Sequence, residues 1–265
     1  MRARRGAVAS GSAFARKDRL VKADPAVQRR LLDLAEVDAE LSRLAHRRRT
    51  LPEHAELTAA EAAVREAKDK LVEVETAAGD LDRDIRRLER DVDGVRSRTE
   101  RDNQLLAGAG IGAKQATELQ HELETLARRQ AVLEDEQLEI MEQREAVGTD
   151  VDHSREVLAA AERELTAVTE RRDSALVDID TSEAGRRRAR EEVLATLTAD
   201  VLAVYERRRE QRGVGAAALV SRRCQACRLE LDRTAISELK AAPADELVYC
   251  EECGVILVRT EGSGL

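Results

Sequence analysis

Residues 57–95 read LTAAEAAVREAKDKLVEVETAAGDLDRDIRRLERDVDGV, and their apolar spacing decides the fold. Leu57, Val64, Leu71, Ala78, Ile85 and Val92 recur by sevens, and Ala60, Ala67, Val74, Leu81, Leu88 and Val95 repeat that interval three residues later. Two apolar positions per seven residues make the seam of a coiled coil, because they keep one stripe of each helix turned toward its partner. A strict seven-residue repeat also implies left-handed supercoiling. Composition alone is ambiguous: 37% of residues are charged, 1% are aromatic (Phe14, Tyr205, Tyr249), and Trp is missing. Such a chain has little material for an aromatic-rich core and also fits disorder. Six heptads held in phase exclude disorder for this stretch.

Upstream, Asp24-Pro25 reads as a helix start, an Asp cap before Pro at the first helical position. Val27, Leu31, Leu34, Leu41 and Leu44 follow on one face, and Leu51-Pro52 predicts a kink or break, since Pro removes a helical hydrogen bond. Downstream, LLAGAGIGAKQ (105–115) places Gly108, Gly110 and Gly112 within five residues, which a helix interior tolerates badly. A second seam begins beyond it with Leu119, Leu126, Leu133, Ile140 and Val147, continued weakly by Ala161, Val168 and Ala175. Its companions are Leu123, Val151, Leu158, Leu165 and Ile179, with Gln130, Gln137 and Arg144 as polar gaps. Val193, Leu194, Leu197, Val201 and Val204 extend the stripe toward Arg212.

Two heptad arms around a glycine-rich turn predict an antiparallel coiled-coil hairpin over 24–212 with its tip near 107–114. The rival is a straight rod of two parallel chains. An arm of about 80 residues would be on the order of 120 Å long. Residues 1–23 are expected to form a disordered basic extension. Either they are a genuine tail, or Val21 is the true start, read from a GUG codon.

The region 213–265 has a different character. AAALVSRR, LELDR, ELVYCEE and VILVRT are strand candidates, and TAISELK suits one or two helical turns. Cys224, Cys227, Cys250 and Cys253 are the only cysteines and read C-x2-C-x22-C-x2-C. Each pair can place two thiolates on one metal, and four sulfurs close a tetrahedral site. Gly254 suits the tight turn after the second pair, and Arg228 holds the matching position after the first. Structural Zn2+ is the expectation. Disulfides suit oxidising compartments, a redox pair belongs with a thioredoxin-like βαβ pattern that is missing, and a rubredoxin-like iron site usually packs aromatics about the metal. With so small a core, metal binding is expected to supply much of the folding free energy of this module.

A site closed by four thiolates has no open position for substrate. His46, His54, His121 and His153 are scattered along helices without ligand or dyad spacing, and neither a phosphate loop nor a nucleophile motif occurs. The chain reads as a non-enzyme without a small-molecule substrate. It has no apolar run of about 18 residues for a membrane span and no secretory signal, so it reads as cytoplasmic. A net charge of −8 argues against wholesale polyanion binding.

The Leu51-Pro52 break, the post-tip KQATELQHELETL (114–126) and the CxxC…YCEECGVILV end resemble the bacterial C4-type zinc-ribbon family with a long coiled-coil hairpin, the CdsZ/FlgZ-like proteins. High Arg and Ala usage suggests an actinobacterial member. The resemblance implies a mainly α protein: a long antiparallel coiled-coil hairpin carrying a small C-terminal β zinc ribbon. It also implies adaptor roles in flagellar or type III secretion systems for some members, and RNA or sigma-factor binding for others. The family's closing run is Cys-Gly-Arg-Ile-Leu-Tyr-like; Val255 and Val258 stand here for its Arg and its aromatic.

Two functions follow as expectations. One is a protein–protein adaptor using Ile111, Lys114 and Gln115 at the tip and Val255, Ile256 and Val258 on the ribbon. The other is RNA or DNA binding by Arg207, Arg208, Arg209, Arg222 and Arg223 beside the ribbon. Glu206, Glu210, Glu251 and Glu252 dilute that basic patch, and Tyr249 is the lone stacking platform near it.

Overall fold

The computed structural model describes residues 21–108 and 110–265. The four long helices are α1 (Pro25–Arg49), α2 (Pro52–Ala107), α3 (Ala113–Leu194) and α4 (Ala199–Arg212). The C-terminal elements are β1 (Ala216–Val220), β2 (Arg223–Cys224), α5 (Arg233–Ala241), β3 (Val248–Tyr249), β4 (Ile256–Arg259) and a 3-10 turn, Glu261–Ser263. They divide into two compact units, Pro52–Arg172 and the remainder.

Within Pro52–Arg172, α2 and α3 run antiparallel in one chain. Arg98 pairs with Glu122 at 2.6 Å, Asp82 with Arg144 at 2.8 Å, Glu75 with Arg155 at 2.8 Å and Glu56 with Arg171 at 3.0 Å. One partner's number falls as the other's rises, which is the hairpin and not the parallel rod. These pairs are exposed or, at Asp82–Arg144, half-exposed, and contribute little stability; they report register. Stability comes from the seam. All twelve expected positions from Leu57 to Val95 are buried or half-buried, and so are the expected positions of the facing stripe, the polar gaps Gln130, Gln137 and Arg144 included. Ser154 and Arg172 fill the two heptad positions that apolar spacing passes over; Ser154 is buried at 8% exposure and Arg172 is half-buried.

The turn lies between Ala107 and Ala113. Gly110 has φ +103°, a conformation that costs L side chains, and Gly112 opens α3 by accepting from Ala116 N–H at 3.0 Å. The arm glycines sit inside unbroken helices. A methyl group at Gly94 meets nothing within 4 Å. Gly94→Ala is therefore expected to raise stability by about 1 kcal/mol through helix propensity. Thermal unfolding of the variant checks this.

The other unit is built on two cores. Asp24 caps α1 by accepting Ala26 N–H at 2.8 Å, Pro25 begins it, and Thr50-Leu51 separates it from α2, as expected. Of the expected extension, residues 1–20 lie outside the described residues. The remaining three belong to the fold: Ala23 is 5% exposed and donates its N–H to Asp245 O at 2.7 Å, while Lys22 bridges antiparallel to Glu246. Unlike the single second arm expected to Arg212, the helix stops at Leu194 and restarts after Thr198, whose ψ of 151° is extended. Val193, Leu194, Leu197, Val201 and Val204 keep helical spacing through this break, so periodicity does not reveal it; all five pack on one core.

The sheet order is β2-β1-β4-β3, with β1 and β4 parallel and both edge pairs antiparallel. One face (Ala217, Leu219, Val255, Leu257) packs on Ala235, Ile236 and Leu239 of α5. The other (Ala216, Ile256, Val258) packs on Leu31, Leu34, Val201, Val204 and Tyr205 of α1 and α4. The expectation of a nearly coreless ribbon is thereby corrected. Of the strand candidates, LELDR forms only a bridge from Glu230 to Arg223, after which Asp232 caps the nine-residue α5.

Candidate metal centre

Two knuckles bring the cysteines together. In the first, β1 turns through Ser221 and Arg222, both at positive φ, into β2, which ends on Cys224. Arg228, at φ 63°, closes the loop after Cys227, donating its N–H to Cys224 O at 2.7 Å. In the second, Cys250 follows β3, and Gly254 at φ 71° donates to Cys250 O at 2.8 Å. The residue after each second cysteine thus occupies the left-handed region. Glycine does so freely; Arg228 does so against the usual Cβ penalty.

The sulfurs lie within 4.8 Å of one another, with Cys224–Cys253 and Cys227–Cys250 both at 3.8 Å. Sulfurs at about 2.3 Å from a tetrahedral zinc stand about 3.8 Å apart. The donor set therefore fits one zinc ion with no fifth group needed. Burial pushes the Cys224 thiol up, and pushes that of Cys253 to about 12. At Cys227 burial also acts upward, but hydrogen bonding by Leu229 N–H and the neighbouring cysteines outweighs it and lowers the thiol. Zinc must displace these protons, so affinity falls as pH falls.

The other expected site residues are dispersed. Val255, Ile256 and Val258 are 1%, 0% and 1% exposed. They are core on both faces of a covered sheet, not a partner surface, because an apolar run with helices on both sides is a strand buried twice over. At the tip, Ile111 is half-buried, Gln115 is exposed, and Lys114, 92% exposed, stands 3.9 Å from Glu118. Each of the five arginines has an interaction partner within the chain. Arg209 pairs with Glu206 at 2.8 Å and Asp38 at 3.5 Å; Arg208 lies over the Tyr249 ring at 4.8 Å. Arg222 donates to Gly264 O at 3.3 Å, Arg223 pairs with Glu230 at 3.4 Å, and Arg207 also has an interaction partner.

Sequence reading missed the polar group that joins α1, α3 and α4. Asp38, buried, accepts from Tyr205 OH at 2.8 Å and Arg190 Nε at 2.7 Å; Arg190 also reaches Glu206. Burial first, and then Asp38, push the Tyr205 hydroxyl well above its ordinary range, so it stays a donor. Two further clamps hold the loop after α5. Arg259 donates to five carbonyls, those of Ala242 and Pro243 at 2.8 and 2.7 Å, and buried Gln28 reaches Ala23 O and Ala244 O at 2.8 and 2.9 Å. The signal for Asp38 was its place in the α1 stripe, between Leu34 and Leu41.

Residues 34–213 match the CT398-like coiled coil hairpin domain and residues 223–257 the C4-type zinc ribbon domain. The uncharacterized protein Rv2229c of Mycobacterium tuberculosis is 42% identical over 242 residues, covering 91% of this chain and 99% of the relative. A solved structure from Mycobacterium smegmatis is 41% identical, with a TM-score of 0.82 over 91% of this chain and 100% of that one. CT398 from Chlamydia trachomatis shares the fold at 19% identity and a TM-score of 0.63, over 88% and 98% of the two chains. The mycobacterial relatives agree with the actinobacterial usage of the sequence. With its hairpin and its four-cysteine ribbon both matched, the chain belongs to the CT398-like coiled-coil hairpin family with a C4-type zinc ribbon.

Proposed function

We propose that the protein is a non-enzymatic adaptor, in which a structural zinc ribbon and a coiled-coil hairpin present separate surfaces to protein partners. The observation that carries this reading is the ribbon's second core: Ile256 and Val258 are seated on α1 and α4, so the ribbon is held in one orientation. A closed tetrathiolate site supports a structural metal. The tip side chains Ile111, Lys114 and Gln115 remain the proposed contact on the hairpin. Nucleic-acid binding has less support, since Arg208, Arg209, Arg222 and Arg223 each already engage a partner within the chain.

Affinity capture from native extract, with and without nuclease, tests the proposal. The expected result is a specific protein retained after nuclease and lost from an Ile111→Ala/Lys114→Ala/Gln115→Ala variant. RNA enrichment, with proteins released by nuclease, would overturn it.

A further inference from the structure

We propose that Arg208 and Arg212 of α4 are the outer cations of the zinc site, so that metal retention depends on a helix lying outside the ribbon. The two residues are one helical turn apart and share a face. A Cβ placed on Gly254, next to Cys253, would lie 3.8 Å from Arg212 Nε and 3.9 Å from Arg208 Nη1. Both guanidinium groups therefore rest against the turn that closes the second knuckle. Arg208 also covers the ring of Tyr249, the residue before Cys250. The Cys250–Cys253 knuckle is thus met by cations on its entering and its leaving side.

The need for them is electrostatic. A divalent ion held by four thiolates leaves a net negative charge, and Glu251 and Glu252, exposed between the two ligands, add to it. The first knuckle carries its own cation, Arg228. The second has glycine at that position, at φ 71°, and the α4 pair lies beside it. Arg208 and Arg212 are positioning residues here: they act on the ligands' charge and do not coordinate.

The test is zinc transfer to a competing chelator at constant pH, comparing the full chain with Arg212→Gln, Arg208→Gln/Arg212→Gln and Arg212→Lys. Loss of outer partners weakens metal affinity by about 10–100-fold, so the double variant is expected to lose at least tenfold. The exposed Arg212→Gln alone should lose a measurable part of that, and Arg212→Lys should recover most of it. Because the effect is one of charge, the gap should shrink in 1 M salt, where screening acts within about 3 Å. Unchanged zinc retention in Arg212→Gln would overturn the proposal, and so would a loss that Lys does not rescue and salt does not reduce. If Arg208→Gln disturbs the packing of Tyr249, the single Arg212 variant still decides.

Discussion

Replacing Cys250 with serine is expected to abolish zinc retention and to unfold more than the ribbon. Small zinc modules gain about 10–16 kcal/mol from their metal, as much as the whole stability of a typical domain. Cys250 is 2% exposed, sits inside the ribbon core, and leads through the second knuckle into β4. That strand serves both cores: Leu257 faces α5, while Ile256 and Val258 face α1 and α4. Losing the metal should therefore loosen α1 and α4 as well. The seam of Pro52–Arg172 has its own buried residues, such as Val74, Leu88 and Leu133, and should survive. Metal analysis after dialysis against chelator should give near-zero zinc, and circular dichroism should show a partial helical loss at low temperature followed by a separate transition. Full zinc content in the variant, or unaltered helicity with zinc lost, would contradict this.

A second large effect is expected at Gly215, which no motif singles out. A Cβ there would fall 2.7 Å from Tyr205 Cζ and closer still to Cδ2. The ring cannot retreat, being 0% exposed with its hydroxyl held 2.8 Å from Asp38. Gly215→Ala should cost about 3 kcal/mol, the upper part of the range for overpacking. Tyr205→Ala should cost about 3–5 kcal/mol by cavity formation, with Asp38 losing a donor as well. The two sites touch, so their effects should not add: in the Tyr205→Ala background, Gly215→Ala has nothing to strike and should be nearly neutral. Denaturant unfolding of the four proteins in this cycle measures the coupling. Additive losses would mean that the ring does not press on Gly215.

The hairpin was legible because its information is local and repeated. From Leu57 to Val95 each seam residue has a neighbour three or four positions away repeating the same choice. The chain reversal is signalled by Gly108, Gly110 and Gly112, close together where a helix interior tolerates glycine badly. The metal ligands were legible because the C-x2-C spacing is itself the geometry of a knuckle. What was hidden depends on contacts distant in sequence. Asp38 breaks an apolar stripe and reads as an exposed acid until Arg190 and Tyr205, more than 150 positions away, converge on it. Val255, Ile256 and Val258 read as a sticky surface until helices from opposite ends of the chain cover both sides of β4. The stop at Leu194 left no trace in the period, since the stripe runs through it. Arg209 looked available to phosphate because its partner Asp38 lies in α1.

The zinc ribbon and the helices seated on it are expected to unfold as one metal-dependent unit, distinct from the hairpin seam. Hydrogen–deuterium exchange of zinc-loaded and zinc-stripped protein tests it most directly. Exchange is expected to quicken on stripping in 216–224 and 248–259 and also in 27–38 and 199–209, with 57–98 unchanged. Loss of protection confined to 216–259 would contradict it, because the ribbon would then be a module that folds apart from the helices beneath it.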